Sequence, residues 1–221
     1  MDQDQKKVRV AEVAASKLSD GIVLGVGTGS TVNKFLEIAN LSQFRLKGVV
    51  SSSNATTEIL RNQNIFAEEP NAFDLIDLYI DGADESTIHG HLIKGGGGAL
   101  TREKILAQYA REFICIIDDS KLVDVLGAFP LPIEVIPMAS SLVAKRMISL
   151  GGQPQLREGF ITDNGNLILD VYNLKILNPI EMEVVINQIP GVVTAGIFGK
   201  RGADKLLIAY ADSIKEIGIN V

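Results

Sequence analysis

Four short apolar segments in the first half of the chain each run directly into a turn of unusual composition, and this repetition narrows the possible folds sharply. Residues 22–26 lead into Gly27, Thr28, Gly29, Ser30 and Thr31, and residues 46–50 lead into Ser51, Ser52 and Ser53. Residues 75–80 lead into Asp81, Gly82, Ala83 and Asp84, and residues 113–118 lead into Asp119, Ser120 and Lys121. Patterns with helical spacing separate them, at residues 32–39, 54–63 and 101–110, and a further helix is expected over residues 5–18 from Val8, Val10, Ala11, Val13, Ala14 and Leu18. Short apolar strands alternating with helices predict an α/β fold, a Rossmann-like, mostly parallel sheet with helices on both faces. In such sheets ligands sit beyond the carboxyl ends of the strands. All four turns follow strands, so they are expected on one edge.

The texture changes after Gly127. The stretch FPLPIEVIP is proline-rich and reads as an extended entry into a second unit. A helix is expected over residues 139–150, a strand over 153–157, and a hairpin in FITDNGNLILDVY turning at Asp163, Asn164, Gly165 and Asn166. A helix over residues 180–189, opened by Asn178 and Pro179, and a strand over 192–198 complete a β-α-β-β-α-β order. That order predicts a smaller ferredoxin-like α+β domain. The expected division is residues 1–127 plus 203–221 for the Rossmann-like catalytic domain and residues 128–202 for the ferredoxin-like one. A last strand at residues 205–211 would return to the first sheet.

Composition excludes several function classes. The 221 residues carry a formal net charge of −6, which argues against a nucleic-acid partner. No apolar run is long enough to span a bilayer, and MDQDQKKVRVAEVAASKL has no apolar signal core, so no membrane role and a cytoplasmic location are expected. The single cysteine, Cys115, lies in the apolar stretch FICII and reads as a small buried hydrophobe.

The segment DGADESTIHGHLIKGGGGALTREK holds the densest chemistry. Asp81, Asp84 and Glu85 crowd its start, Lys94 precedes Gly95, Gly96, Gly97 and Gly98, and Glu103 falls in the first turn of a helix. Two carboxylates facing one cleft beside a lysine can move protons near neutral pH. Backbone amides of a glycine run can approach an anion closely. The alternatives remain open at each point: DGAD as an acidic turn, Glu103 as a charge favourable to the helix dipole, Glu103 and Lys104 as surface residues. GVGTGST has glycines at 25, 27 and 29, which is not the dinucleotide spacing, and no acid closes the next strand. It offers amides and the hydroxyls of Thr28, Ser30 and Thr31 to a phosphate, unless Ser30 or Thr31 simply caps the helix. Lys121 could supply a second cation, whereas Lys6 and Lys7 read as a solvated helix face. His89 and His91 read as solvated turn residues, and no metal site is expected.

Taken together, GVGTGST, VSSS, DGADE, KGGGGALTREK, DDSK and FPLPIEVIP, with TDNGNLILD and IPGVVTAGIF further on, resemble type A ribose-5-phosphate isomerases over nearly the whole chain. The resemblance implies reversible conversion of D-ribose 5-phosphate to D-ribulose 5-phosphate in the non-oxidative pentose phosphate pathway, without metal or organic cofactor. It implies that Glu103 is the base shuttling a proton between C1 and C2. Asp81, Asp84 and Lys94 are implicated in ring opening and in stabilising the enediolate. Thr28, Gly29, Ser30, Thr31 and Lys121 match ligand-binding positions, and Gly82, Ala83, Gly95, Gly96 and Gly97 are counted with them. The implied assembly is a homodimer or a dimer of dimers, and the implied partner a small sugar phosphate. Gly98 stands where many members have alanine. Two other classes share parts of the pattern: a non-catalytic sugar-phosphate sensor, for which the chain shows no DNA-binding segment, and an acyl or coenzyme A transferase with a glutamate nucleophile.

Overall fold

The computed structural model describes residues 2–219. In chain order its helices and strands are α1 (Gln3–Ala15), β1 (Val23–Val26), α2 (Ser30–Ala39), β2 (Gly48–Ser51), α3 (Asn54–Asn62), β3 (Ile76–Asp81), β4 (Glu85–Ser86), β5 (Leu92–Ile93), α4 (Leu100–Tyr109), β6 (Ala110–Asp118), β7 (Leu131–Val135), α5 (Ser140–Ser149), β8 (Gln153–Leu156), β9 (Leu167–Tyr172), α6 (Pro179–Asn187), β10 (Val192–Ala195), β11 (Ile197–Phe198), β12 (Lys205–Ala209) and β13 (Ile214–Gly218). They divide into two compact units, residues 2–83 with 102–122 and 203–219, and residues 84–101 with 123–202.

The first unit is an α/β unit. Its six-stranded sheet runs β13-β12-β6-β3-β1-β2. Every pairing from β12 to β2 is parallel, and β13 joins β12 antiparallel at the edge. The central strands are buried along most of their length, as near-continuous apolar runs such as Leu24, Val26, Ile80, Ile114 and Ile116 require. Against them pack Val10, Ala11 and Ala14 of α1 and Val32, Phe35 and Leu36 of α2. Cys115 lies buried within β6 as a free thiol. β12 does return to this sheet, parallel to β6, whereas β13 was not anticipated. After α3, an isolated parallel bridge joins Val50 and Glu68.

The second unit holds an antiparallel sheet ordered β10-β7-β9-β8, with α5 and α6 completing the β-α-β-β-α-β sequence, and a small sheet ordered β11-β5-β4. The single strand expected over residues 192–198 is interrupted. A Cβ at Gly196 would lie 2.3 Å from the Lys94 carbonyl oxygen and 2.9 Å from that of Pro132, so this position admits only glycine. The chain turns aside there, and β10 pairs with β7 while β11 pairs with β5. Because β5 pairs with β11 and β4 with β5, residues 84–101 pack with this unit, not with the first as the expected division at residue 127 placed them.

The expected hairpin is also rearranged. β9 pairs with β8, and the residues before the Asn164-Gly165 turn form no strand. Thr162, Asn164 and Asn166 instead gather on the buried carboxylate of Glu134 in β7. Thr162 Oγ1 donates to it at 2.9 Å, Asn164 Nδ2 at 3.1 Å and Asn166 Nδ2 at 2.8 Å, and the Thr101 hydroxyl also donates. A buried carboxylate held by this many donors is a structural hub. Glu134→Ala strands those donors and is expected to cost about 2–3 kcal/mol, read as a lower denaturant midpoint with an unchanged slope.

Candidate active site

In the first unit the candidate residues other than Glu103, which is on α4, lie at the carboxyl ends of adjacent strands. β3 alternates side chains, so Tyr79 and Asp81 share a face. Asp81 is fully buried. One carboxylate oxygen accepts the amides of Gly82 at 2.7 Å and Thr28 at 3.1 Å, and the other accepts the Tyr79 hydroxyl. Burial first, then the nearby charges of Asp81 and Glu103, push the Tyr79 phenol well above its ordinary range. Tyr79 is therefore a permanent donor at neutral pH, and both carboxylates act on one phenol.

This arrangement revises the meaning of the GVGTG glycines. A Cβ at Gly27 would meet the Asp81 carboxyl carbon at 1.9 Å, and one at Gly25 would meet the Tyr79 ring at 2.9 Å. Both positions make room for side chains on the neighbouring strand. Gly29 differs: its φ is +116° and nothing lies within 4 Å of a would-be Cβ. Gly29 is the N-cap of α2 and supplies no side chain, so neither Ser30 nor Thr31 takes the capping role. The first amides of α2 therefore lie at an exposed turn without a side-chain cap, an arrangement that can accept an anion.

The Ser51–Ser53 turn is a support. Thr28 Oγ1 lies 2.8 Å from Ser52 Oγ and donates to Ser53 Oγ at 2.9 Å. Ser53 caps α3 by accepting from the Thr56 amide, and Thr56 Oγ1 donates to the Gly27 carbonyl at 2.8 Å. The Thr28 hydroxyl thus faces inward, and Ser30 and Thr31 carry the outward part of the loop.

Glu103 is buried, at 3% exposure, which rules out the surface reading. It sits three and four residues before Leu106 and Ala107, both buried, and so lies on the apolar face of α4. Arg102, beside it, donates to Asn54 Oδ1 at 2.9 Å and ties α4 to the start of α3. Its charge and that of Asp81 both act on the Tyr79 phenol, and a carboxylate on the apolar side of a helix can serve in proton transfer.

Lys121 ends a short 3-10 turn over Asp119–Lys121, capped by Asp118. Burial raises the Asp118 carboxyl, but the hydroxyl and amide of Ser120, Gln3 and the charge of Lys121 outweigh it, and the net pKa lies below the ordinary value. The proton therefore binds more tightly in the unfolded chain. Asp118 contributes stability above the usual aspartate range that is lost as pH falls through the depressed value. Asp118→Asn is expected to flatten the acid limb of a plot of Tm against pH. Lys6 is not simply solvated, since it pairs with Asp119 at 2.5 Å, and Lys7 lies 3.6 Å from Asp4.

The second unit carries Asp84, Lys94 and the glycine run. Asp84 Oδ2 accepts the Gly96 amide at 2.8 Å. Lys94 follows β5, is 2% exposed, and its Nζ lies 5.7 Å from the centroid of the Phe198 ring. Its backbone amide donates to the Gly196 carbonyl at 2.9 Å. Gly95 and Gly98 have φ of +105° and +83°, and the Gly98 amide closes a turn onto the Gly95 carbonyl. A Cβ at Gly98 would fall 2.2 Å from Phe160, so an alanine there requires that ring to move. Glu85, the third acid of the segment, is spent on structure: it accepts the amides of Gly127, at 2.7 Å, and Phe129. His89 is exposed, His91 half-buried, and the described residues contain no cluster able to hold a metal ion. No helix among them is long and apolar enough to cross a membrane.

Tyr79 was missed by sequence reasoning, although its position two residues before Asp81 in a strand was a usable signal. Gly82 and Ala83 lie half-buried beside Asp81 in the first unit, and Gly96 and Gly97 are exposed in the second.

Residues 48–213 match the family model described as ribose 5-phosphate isomerase A (phosphoriboisomerase A). Among solved structures, the chain is similar to ribose 5 phosphate isomerase A from Neisseria gonorrhoeae, at 42% identity and a TM-score of 0.96, over 100% of this chain and 99% of that one. It is similar to ribose 5-phosphate isomerase A from Methanocaldococcus jannaschii, at 38% identity and a TM-score of 0.91, over 97% and 98% of the two chains. A D-ribose-5-phosphate isomerase in complex with phospho-erythronic acid matches at 34% identity and a TM-score of 0.94, over 99% of this chain and 100% of that one.

Proposed function

The chain belongs to the ribose 5-phosphate isomerase A family, and from that premise we propose how its own residues divide the interconversion of D-ribose 5-phosphate and D-ribulose 5-phosphate. The observation that carries the reading is the pair of buried carboxylates, Asp81 and Glu103, acting on one phenol behind an outward-facing helix N-terminus.

The phosphate is held by the amides and hydroxyls of Gly29, Ser30 and Thr31, with Thr28 as their support and Lys121 as a cation. This grip acts on a part of the sugar that does not react. Asp81, held by Tyr79 and two amides, and Asp84, held by Gly96, exchange protons with the ring oxygen and the anomeric hydroxyl, opening the ring to the aldehyde. Glu103 then takes the C2 proton. The electron pair moves into the C1–C2 bond, and the carbonyl π electrons pass to O1. Lys94 and the amides of Gly95 and Gly97, with Ala83 beside Asp81, stabilise the negative charge of the enediolate, while the Gly96 and Gly82 amides hold the carboxylates of Asp84 and Asp81. Protonated Glu103 returns its proton to C1 as the O2 proton is lost and O1 is protonated, giving the ketose. C1 is reduced and C2 oxidised within one sugar, so the reaction is redox-neutral and each step falls to a side chain or an amide.

A cytoplasmic location and assembly as a homodimer or a dimer of dimers belong to the same proposal. The deciding experiment is an isomerisation assay with ribose 5-phosphate in the presence of a chelator. Turnover unaffected by the chelator is expected. Tight binding of ribose 5-phosphate without turnover would replace the enzyme with a sugar-phosphate sensor.

A further inference from the structure

Glycine places few limits on φ and ψ, so the shape of the run after Lys94 depends on the contacts it receives: its own Gly98–Gly95 turn, the Asp84 carboxylate, and Arg157 within the same unit. Arg157 Nε and one terminal nitrogen donate to the two carboxylate oxygens of Asp170 at 2.8 and 2.5 Å. This fork locks the guanidinium plane, and both side chains are largely shielded, at 18% and 14% exposure. The other terminal nitrogen donates to the carbonyls of Gly96 at 3.1 Å and Gly95 at 3.3 Å. The Phe160 ring lies 5.3 Å from the guanidinium carbon, and the same ring closes against Gly98.

Peptide planarity turns these carbonyl contacts into a statement about the amides. In a trans peptide the carbonyl of one residue and the N–H of the next point in opposite directions. With the Gly95 carbonyl drawn to Arg157, the Gly96 amide is aimed away from it, and that amide holds Asp84. With the Gly96 carbonyl drawn to Arg157, the exposed Gly97 amide is likewise aimed away from the guanidinium.

We propose that Arg157, locked by Asp170, is a positioning residue that aims the Gly96 amide at Asp84 and presents the Gly97 amide to the developing enediolate. The proposal rests on the catalytic role given above to the glycine run. Lysine cannot reproduce the fork that serves a carboxylate and two carbonyls together. Arg157→Lys is therefore expected to lower kcat for ribose 5-phosphate by about 10- to 100-fold, with KM within about threefold of the parent. Amide hydrogen exchange at Gly96 and Gly98 should quicken in the same protein, while exchange in β7 stays slow. Asp170→Asn, which keeps Arg157 but removes half of its fork, provides a second variant and should shift both readouts in the same direction by a smaller factor.

A folded Arg157→Lys protein with parental kcat and parental exchange at Gly96 and Gly98 would overturn the proposal. So would a loss of kcat accompanied by faster exchange throughout the unit, which signals general destabilisation. Lys94→Ala, assayed alongside, separates the two levels. If Lys94→Ala loses turnover while Arg157→Lys does not, the brace fails and the catalytic reading of the loop stands. If Lys94→Ala retains turnover, the catalytic reading itself fails.

Discussion

Glu103→Gln is expected to lower kcat by about 10²- to 10⁴-fold, while KM for ribose 5-phosphate stays within about threefold of the parent. The substitution keeps the shape of the side chain on the buried face of α4 and leaves Arg102 on Asn54, so the helix start stays tethered. What it removes is the group proposed to take the C2 proton and return it to C1. An amide cannot do either. A second readout checks that the side chain occupies the intended place. Burial, Asp81 and Glu103 together hold the Tyr79 phenol above its ordinary pKa. Removing the Glu103 charge should let that phenol ionise at lower pH, seen by alkaline titration of tyrosinate absorbance. Turnover near the parental rate would remove Glu103 from its role. Loss of turnover with an unmoved tyrosine titration would show that the variant had rearranged.

What was legible before the structure was whatever depends on neighbours in sequence. The four strand-to-turn junctions could be read because apolar runs and turn residues adjoin, and the β-α-β-β-α-β order followed from periodicity. The paired acids and the KGGGG run stood out because their chemistry is contiguous. What was not legible depends on distant partners. Glu85 reads as one of three crowded acids until the amides of Gly127 and Phe129 arrive to occupy it. Glu134 sits unremarked in a proline-rich strand because its donors lie at Thr101, Thr162, Asn164 and Asn166. The break at Gly196 comes from the carbonyls of Lys94 and Pro132, which no local pattern announces. Gly25 and Gly27 were read as part of a phosphate cradle because a glycine that admits a neighbour's side chain looks the same in sequence as one that admits a ligand.

Lys94→Ala is expected to lower kcat by about 10²- to 10³-fold, or about 3–4 kcal/mol in the barrier, with a much smaller change in KM. The charge that Lys94 would stabilise appears only as the aldehyde oxygen becomes an enediolate, so its removal penalises the transition state more than the bound sugar. Truncation also uncovers the Phe198 ring and leaves a cavity at a position only 2% exposed, and some loss of stability should accompany it. Lys94→Met separates the two effects, because its length and apolar stem refill the space without the charge. If Lys94→Met recovers the Tm of the parent and not its kcat, the ammonium group itself carries the catalytic contribution. If Lys94→Met recovers both, the packing of β5 against β11 was the property that mattered, and the enediolate must be stabilised by the glycine amides alone.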